Sequence, residues 1–366
     1  MIAALAPAVA PIAPDRSWLH DLSPFLWRIS GDFGIRWYGL SYILGAVIAF
    51  LMLRWLAKRG FTPIPVDRAL DAIVSIMLGA VIGGRLGYII LYQPSLLGLV
   101  DGFPWWGVLA IDRGGMASHG GIVGAGVACW WVSRGFLTQG GERIGAAPTL
   151  HVLDLLAMLG PAGLMLGRLA NFINGELVGL VVARPGEPGP WWAVRYPNEI
   201  LERKAAELPQ TITQRAQIDA IVARFTLPGE TFDDGFARML SALQGGNADL
   251  ARELGPLLSA RAPSQLLQAL AEGVIVGLVV WVVARAPRRP GIIGAWFLIT
   301  YGAGRIATEF VRLPDAHLAA QRLLGLSRGQ WLSALMVVGG IALLLILRSR
   351  PATKMGGWAR RAPQSP

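Results

Sequence analysis

Charged residues are scarce in this sequence, at 15% of 366. A soluble domain carries about a quarter, so an ordinary water-exposed globule is excluded. Cysteine is nearly absent: the single residue, Cys129, lies within an apolar run. One cysteine allows neither an intrachain disulfide nor a cysteine-based metal site. Histidine is also rare, with His20, His119, His151 and His317 far apart in sequence. No His/Glu cluster has metal spacing, and we expect neither a metal nor any other cofactor. The sequence has no Gly-x-Ser-x-Gly elbow and no phosphate-binding Walker loop. It offers no obvious nucleophile of its own. The apolar start, residues 1–14, lacks a basic segment and is broken by prolines. We do not read it as a cleaved signal peptide.

What the sequence does have is apolar length. Hydrophobic residues reach 54%, glycine numbers 46 and tryptophan 14, and mean hydropathy is +0.49. Glycine is enriched in membrane helices, and tryptophan at membrane interfaces. Seven apolar segments approach the length needed to cross about 30 Å of hydrocarbon. They run over 38–56, 69–92, 118–132, 150–169, 266–283, 291–308 and 331–347. The expected fold is therefore an all-α polytopic membrane protein of about seven transmembrane helices. Between the fourth and fifth segments lies a polar stretch, 181–262, with 9 basic and 10 acidic residues. We read it as a small outward-facing head, with helical stretches over 197–208 and 233–243. The expected organisation is four spans in 1–180, the head in 181–262, three spans in 263–348 and a basic tail in 349–366.

The net charge of +10 would suit a nucleic-acid partner, but most of it flanks the apolar runs. With the amino terminus outside, the short inner segments hold Arg54, Lys58, Arg59, Arg68, Arg134, Arg143, Arg285, Arg288, Arg289, Arg348, Arg350, Lys354, Arg360 and Arg361. The short outer ones hold Arg16, Arg28, Arg36, Arg113, Arg312, Arg322 and Arg328. The positive-inside rule favours this orientation, with the carboxyl terminus in the cytoplasm. Membrane lipid, not nucleic acid, is the expected environment.

On this topology the polar residues of the spans gather at one depth. Tyr38 opens the first span; Arg85 and Tyr88 lie late in the second; His119 opens the third. Arg168 and Asn171 close the fourth, and Tyr301, Arg305 and Glu309 close the sixth. A single arginine near a span end can reach the interface by snorkelling. Several at one depth point to a bundle interior or a water-filled cavity. Tyr301, Arg305 and Glu309 repeat every four residues and share a helix face. That spacing suits an intrahelical ion pair, and equally a guanidinium held in place for an anion. A planar guanidinium matches phosphate, and the abundant anion at this depth is a phospholipid head group. Asp154, deeper in the fourth span, could partner another polar helix. His151 is expected near the inner interface, in a structural role.

The stretch Gly167-Arg168-Leu169-Ala170-Asn171-Phe172-Ile173-Asn174-Gly175-Glu176-Leu177-Val178-Gly179 closely resembles the signature of bacterial prolipoprotein diacylglyceryl transferases. Further blocks resemble that family in the same order. They are Arg36-Trp37-Tyr38-Gly39-Leu40, Gly83-Gly84-Arg85-Leu86-Gly87-Tyr88 and Gly115-Met116-Ala117-Ser118-His119-Gly120-Gly121. Tyr301-Gly302-Ala303-Gly304-Arg305 with Glu309-Phe310 follows, then Arg312-Leu313-Pro314-Asp315-Ala316. Before the fifth span the family usually has His-Pro-Ser-Gln-Leu-Tyr-Glu. This chain has Ala262-Pro263-Ser264-Gln265-Leu266-Leu267-Gln268, which puts the role of that element in doubt.

The resemblance implies a bacterial inner-membrane transferase. It would move the diacylglyceryl group of phosphatidylglycerol to the lipobox cysteine thiol in a prolipoprotein signal peptide, releasing glycerol phosphate. The implied catalytic residues are His119, Arg168 and Arg305. The implied substrate-binding residues are Tyr38, Asn171, Glu176, Gly179, Tyr301 and Glu309. Depth adds Arg85, the loop adds Asn174, and Gly120 would let a lipid or backbone approach closely. His119 is the leading candidate for the thiol proton, and a Gly-flanked structural turn is its other reading. A phospholipid transporter or flippase would also need buried arginines, but with polar residues along a whole path and inverted repeats.

Overall fold

The computed structural model describes residues 15–30, 33–110, 115–201, 210–312 and 326–359. The expectations for the amino-terminal run, for 202–208 of the head, for Leu313-Pro314-Asp315-Ala316 and for the last arginines lie outside the described residues.

All seven apolar segments are helical. They form α1 (Trp37–Lys58), α2 (Ala69–Tyr92), α3 (Ser118–Ser133), α4 (Thr149–Ile173), the run from Ser264 to Val283, α10 (Ile292–Glu309) and α11 (Arg328–Ser349). Among the described residues, five helices are long and apolar enough to cross a membrane: Trp37–Lys58, Val66–Tyr92, Thr149–Ile173, Ser264–Val283 and Gly329–Ser349. α3 has only 16 residues, and α10 carries Arg305 and Glu309 at its end. The run from Ser264 is not uniform: α8 (Ser264–Gln268) passes into a π-helical stretch, Ala269–Ile275, and then α9 (Val276–Val283). Such π segments are rare and concentrate at functional sites.

The head contains α5 (Ile212–Ala223), α6 (Phe232–Gln244) and α7 (Ala248–Leu254). Threonines 211 and 231 open α5 and α6 as capping boxes, each satisfying orphan amides of the first turn. The expected helix at 233–243 is α6; at 197–201 the chain instead makes a 3₁₀ turn.

The all-α expectation needs one correction. Short strands β1 (Trp18–Leu19), β7 (Val194–Arg195), β8 (Ala260–Arg261) and β6 (Val181–Ala183) form a four-stranded sheet in that order. β2 (Phe25–Ser30) pairs with β3 (Phe33–Arg36), and β4 (Phe136–Leu137) with β5 (Arg143–Ile144). Strands of two or three residues are too short to show alternation, which is why the sequence did not reveal the sheet.

The chain divides into two compact units. One comprises 1–40, 167–269 and 306–330; the other comprises 41–166, 270–305 and 331–366. The first unit has its own core in the head, where Ile218, Val222, Phe236, Met239, Leu243 and Leu254 pack together. Two buried arginines join its sheet to its loops. Arg195 donates to Ser17 Oγ (2.8 Å) and the Glu187 carbonyl (2.7 Å) and pairs with Asp15 (3.0 Å). Arg261 pairs with Glu199 at 2.8 Å, both almost fully buried.

In the second unit the core is Leu53, Leu56, Phe61, Ile73, Cys129, Met158, Val276 and Val280, among others. Cys129 is fully buried there, as the small apolar filler its sequence context suggests. Asp154, also buried, accepts the amides of Gly291 (2.7 Å) and Gly294 (2.6 Å). It thereby caps the start of α10, whose orphan N–H groups need such an acceptor. The tail folds back instead of trailing: Trp358 donates from Nε1 to the Trp281 carbonyl at 2.7 Å, and its ring meets Trp55 and Trp281.

α2 and α3 pack closely because their contact is made of small residues. A Cβ on Gly83 would lie 2.4 Å from the Gly120 carbonyl oxygen, and one on Gly124 would lie 2.0 Å from that of Gly79. Small residues every four positions let helix backbones touch. This is the reason for Gly120 and Gly124 in α3.

Candidate active site

In the first unit the candidates lie at the end of α4 and in the loop beyond it. Arg168 and Asn171 are one turn apart, Arg168 half-buried and Asn171 buried. The Asn171 amide donates to the Tyr38 hydroxyl at 3.5 Å. After α4 the chain turns sharply. Gly175 has φ +66°, and Leu177 has φ +55°, a region an L-residue with a bulky side chain rarely adopts. The two bracket Glu176. Asn174 donates to the Glu176 carboxylate at 3.0 Å, and Asn198 donates to the Asn174 carbonyl at 3.0 Å.

Residues whose role the sequence left in doubt hold this strained loop. Ser264 Oγ donates to the Leu177 carbonyl at 2.8 Å, and Gln265 Nε2 donates to the Glu176 carbonyl at 2.6 Å. Gln265 in turn accepts from the Tyr196 hydroxyl at 3.3 Å. Ser264 and Gln265 belong to Pro263-Ser264-Gln265-Leu266, the part of the family's run that this chain retains, and both bond to the loop. Gly179 is glycine for a steric reason: an added Cβ would lie 2.3 Å from the Ala262 carbonyl oxygen and 2.8 Å from that of Val311. At the end of α10, Glu309 accepts from Ser327 Oγ (3.2 Å) and lies 3.9 Å from the Arg312 guanidinium.

Arg305 is the centre of the second unit's candidates. It lies 3.5 Å from Glu272, whose side chain is fully buried. Glu272 sits in the π-helical stretch and is not among the residues expected from sequence. A lone acid inside an apolar 20-residue span was the available signal. Tyr301, one turn before Arg305, stacks on Phe297 with centroids 5.5 Å apart. A guanidinium facing a buried carboxylate is a pre-positioned, partly neutralised donor set, suited to an anion with more than one oxygen.

Arg85 behaves differently. It is buried, and its hydrogens go to the Val108 (3.0 Å), Gly115 (3.3 Å), Gly107 (2.8 Å) and Ala110 (2.7 Å) carbonyls. Four of its five donors are thus used by the chain itself, and its bonds favour anchoring a loop over binding substrate. Gly120 lies against Gly83 and Gly87 in α2, so the close approach it allows is that of a helix backbone. His119, the second residue of α3, is exposed. His151 is buried and stacks on Phe61, in keeping with a structural role.

Long apolar helices with glycine-packed contacts, half-buried arginines near their ends and a latched Asn-Gly-Glu loop define a polytopic membrane protein. Comparison with known proteins makes the class specific. Residues 24–346 match the family model described as prolipoprotein diacylglyceryl transferase. A phosphatidylglycerol–prolipoprotein diacylglyceryl transferase of Bdellovibrio bacteriovorus is 40% identical over 356 residues, covering 93% of this chain and 97% of that protein. Proteins of the same name from Paraburkholderia phymatum and Erythrobacter litoralis are 35% and 33% identical, covering 86% and 87% of this chain and 90% and 88% of their own lengths. The chain belongs to the prolipoprotein diacylglyceryl transferase family, which makes it a membrane-embedded transferase.

Proposed function

We propose that this protein transfers the diacylglyceryl group of phosphatidylglycerol to the lipobox cysteine of a prolipoprotein signal peptide. The cysteine sulfur, as thiolate, attacks the glyceryl carbon that bears the phosphate ester. The carbon–sulfur bond forms, the carbon–oxygen bond breaks, and glycerol phosphate departs with the electron pair. The thiol proton goes to a base, for which His119 at the start of α3 is our candidate. The nucleophile belongs to the substrate, in keeping with Cys129 being buried in a core.

Arg168 and Arg305 receive the lipid phosphate and stabilise its departure. Preorganised cationic donors act where charge develops, in surroundings that screen little. The observation that carries this reading is the Arg305–Glu272 pair: a guanidinium at the end of an apolar helix, faced by a fully buried acid. Tyr38, Asn171, Asn174, Glu176, Gly179, Tyr301 and Glu309 shape and line the site. Seven spans, the head and amino terminus outside, the carboxyl terminus in the cytoplasm and residence in a bacterial inner membrane complete the proposal. The unequal distribution of basic residues over the short loops supports this orientation.

The test is transfer by the purified protein in phosphatidylglycerol vesicles to a lipobox peptide, followed by the mass of the thioether product. Product from the cysteine peptide and none from its serine counterpart is expected. Phospholipid movement between leaflets without thioether would instead establish a flippase.

A further inference from the structure

The loop between α2 and α3 takes no part in the transfer scheme, and its surface is unlike that of a loop in water. Over 93–110 the one charged residue is Asp101. Leu97, Leu99, Phe103, Trp105, Trp106 and Leu109 stand 47% to 85% exposed. So much apolar surface in one short loop marks an interaction site.

The backbone of the same loop is bonded within the protein. The Val100 amide donates to the Trp105 carbonyl at 2.9 Å, that of Trp105 to Gly102 at 2.8 Å, and that of Gly107 to Gly98 at 3.0 Å. Trp106 Nε1 donates to the Leu97 carbonyl at 3.1 Å. The carbonyls of Gly107, Val108 and Ala110 all accept from Arg85. In water a loop needs no arginine for this, because solvent serves its carbonyls. In lipid the protein itself must satisfy every backbone polar group. Outward apolar side chains and an internally satisfied backbone are two separate observations, and both fit lipid surroundings.

The flanking helices name the partner. The loop leaves α2, a helix long and apolar enough to cross a membrane, whose last residues Ile90, Leu91 and Tyr92 are exposed. Ile122 and Val123 of α3 are exposed as well. The apolar surface of the loop continues the one that these helices offer to lipid. Asp101 and the two tryptophans set the depth. A carboxylate is costly within hydrocarbon, and tryptophan concentrates at the membrane–water interface. We infer that loop 93–110 lies in the interfacial layer of the bilayer, with phospholipid as its partner, and that Arg85 keeps its carbonyls satisfied there. The inference rests on the chain being a membrane protein, and not on which reaction it catalyses.

The test uses the full-length protein carrying Cys129→Ala and either Leu99→Cys or Phe103→Cys. Each is labelled with a small fluorophore and reconstituted in vesicles of phosphatidylglycerol and phosphatidylcholine. Emission is read against phospholipids bearing a nitroxide high on the acyl chain, and separately against a water-soluble nitroxide. Both probes should lose most of their emission to the lipid-borne quencher and little to the aqueous one. The reverse order would place the loop in water and overturn the inference. Protection from both quenchers would overturn it too, since protein, a second copy included, would then cover the loop. Adding Arg85→Met should shift quenching from the lipid-borne to the aqueous nitroxide, because carbonyls left without donors move to water. Unchanged quenching in folded Arg85→Met would overturn the role given to Arg85. The probes beside the natural Arg85 decide the location of the loop even if Arg85→Met does not fold.

Discussion

Arg85 and Arg305 both lie in helices expected to be membrane-embedded, and the two regions use them in opposite ways. Around α2 the chain brings four of its own carbonyls to Arg85. At the end of α10 Arg305 faces a carboxylate, that of Glu272. A guanidinium with four of its five hydrogens on backbone carbonyls is held by the fold, because an incoming anion would have to displace bonds already made. One that faces a buried acid is held in direction with its charge partly offset, and it remains suited to an anion. Depth in the membrane alone therefore does not separate these two arginines; their partners do.

This contrast is open to attack. The largest effect is expected at the arginines assigned to phosphate. Arg168→Lys and Arg305→Lys should each lower kcat nearly as far as alanine does, about 100- to 1,000-fold, since lysine lacks the planar fork. Near-normal initial rates of thiol lipidation in both lysine variants would remove the bidentate phosphate contact from the scheme.

Arg85→Met should act on stability instead. Each buried carbonyl left without a donor costs about 1–3 kcal/mol, so the thermal midpoint should fall sharply. Activity per folded molecule should stay within a few-fold of the natural protein. A rate loss as deep as that of Arg305→Ala, in folded material, would make Arg85 a substrate ligand and collapse the distinction.

Glu272→Gln sharpens the comparison from the other side. The amide still accepts a hydrogen bond but no longer offsets the charge of Arg305. A kcat loss of about tenfold, smaller than that of Arg305→Ala, is expected with little change in the KM for the peptide. Folded Glu272→Gln with an unchanged pH–rate profile and an unchanged rate would show that the acid does nothing for Arg305.

The smallest effect lies in the first unit. His20 is buried, which lowers its pKa from 6.5, although the Phe172 carbonyl and Asp21 act in the other direction. Its Nε2–H donates to that carbonyl at 2.7 Å. The unfolded chain takes up the proton more readily than the folded one, so stability is complete above pH about 6.5 and declines as pH falls below it. The slope is at most about 1.4 kcal/mol per pH unit. Thermal midpoints between pH 7 and pH 5 should show this decline, and His20→Gln should flatten it.

Much of this molecule was legible because its signals are long. A span of 20 apolar residues or a 13-residue signature leaves little ambiguity: each expected apolar segment is helical, and among the described residues five helices are long and apolar enough to cross a membrane. Asp154 stood out as an acid in an apolar run that could partner another helix; its actual partner, the start of α10, was not legible. The four-stranded sheet, the folded-back tail and the latch formed by Ser264 and Gln265 went unseen. Each is built from two or three residues whose partners are distant in sequence: Gln265 meets Glu176, and Trp358 meets Trp281.

The sequence by itself determined that the chain is a helical membrane protein and that it belongs to its family. These follow from composition, hydrophobic length and local motif, which act within a segment. Only the tertiary structure decided which arginine is held by four backbone carbonyls and which faces a buried acid, and why Gly120 and Gly179 must be glycine. The physical reason is that a hydrogen bond or a steric clash belongs to a pair of groups, and the chain must fold before the second member of the pair is known.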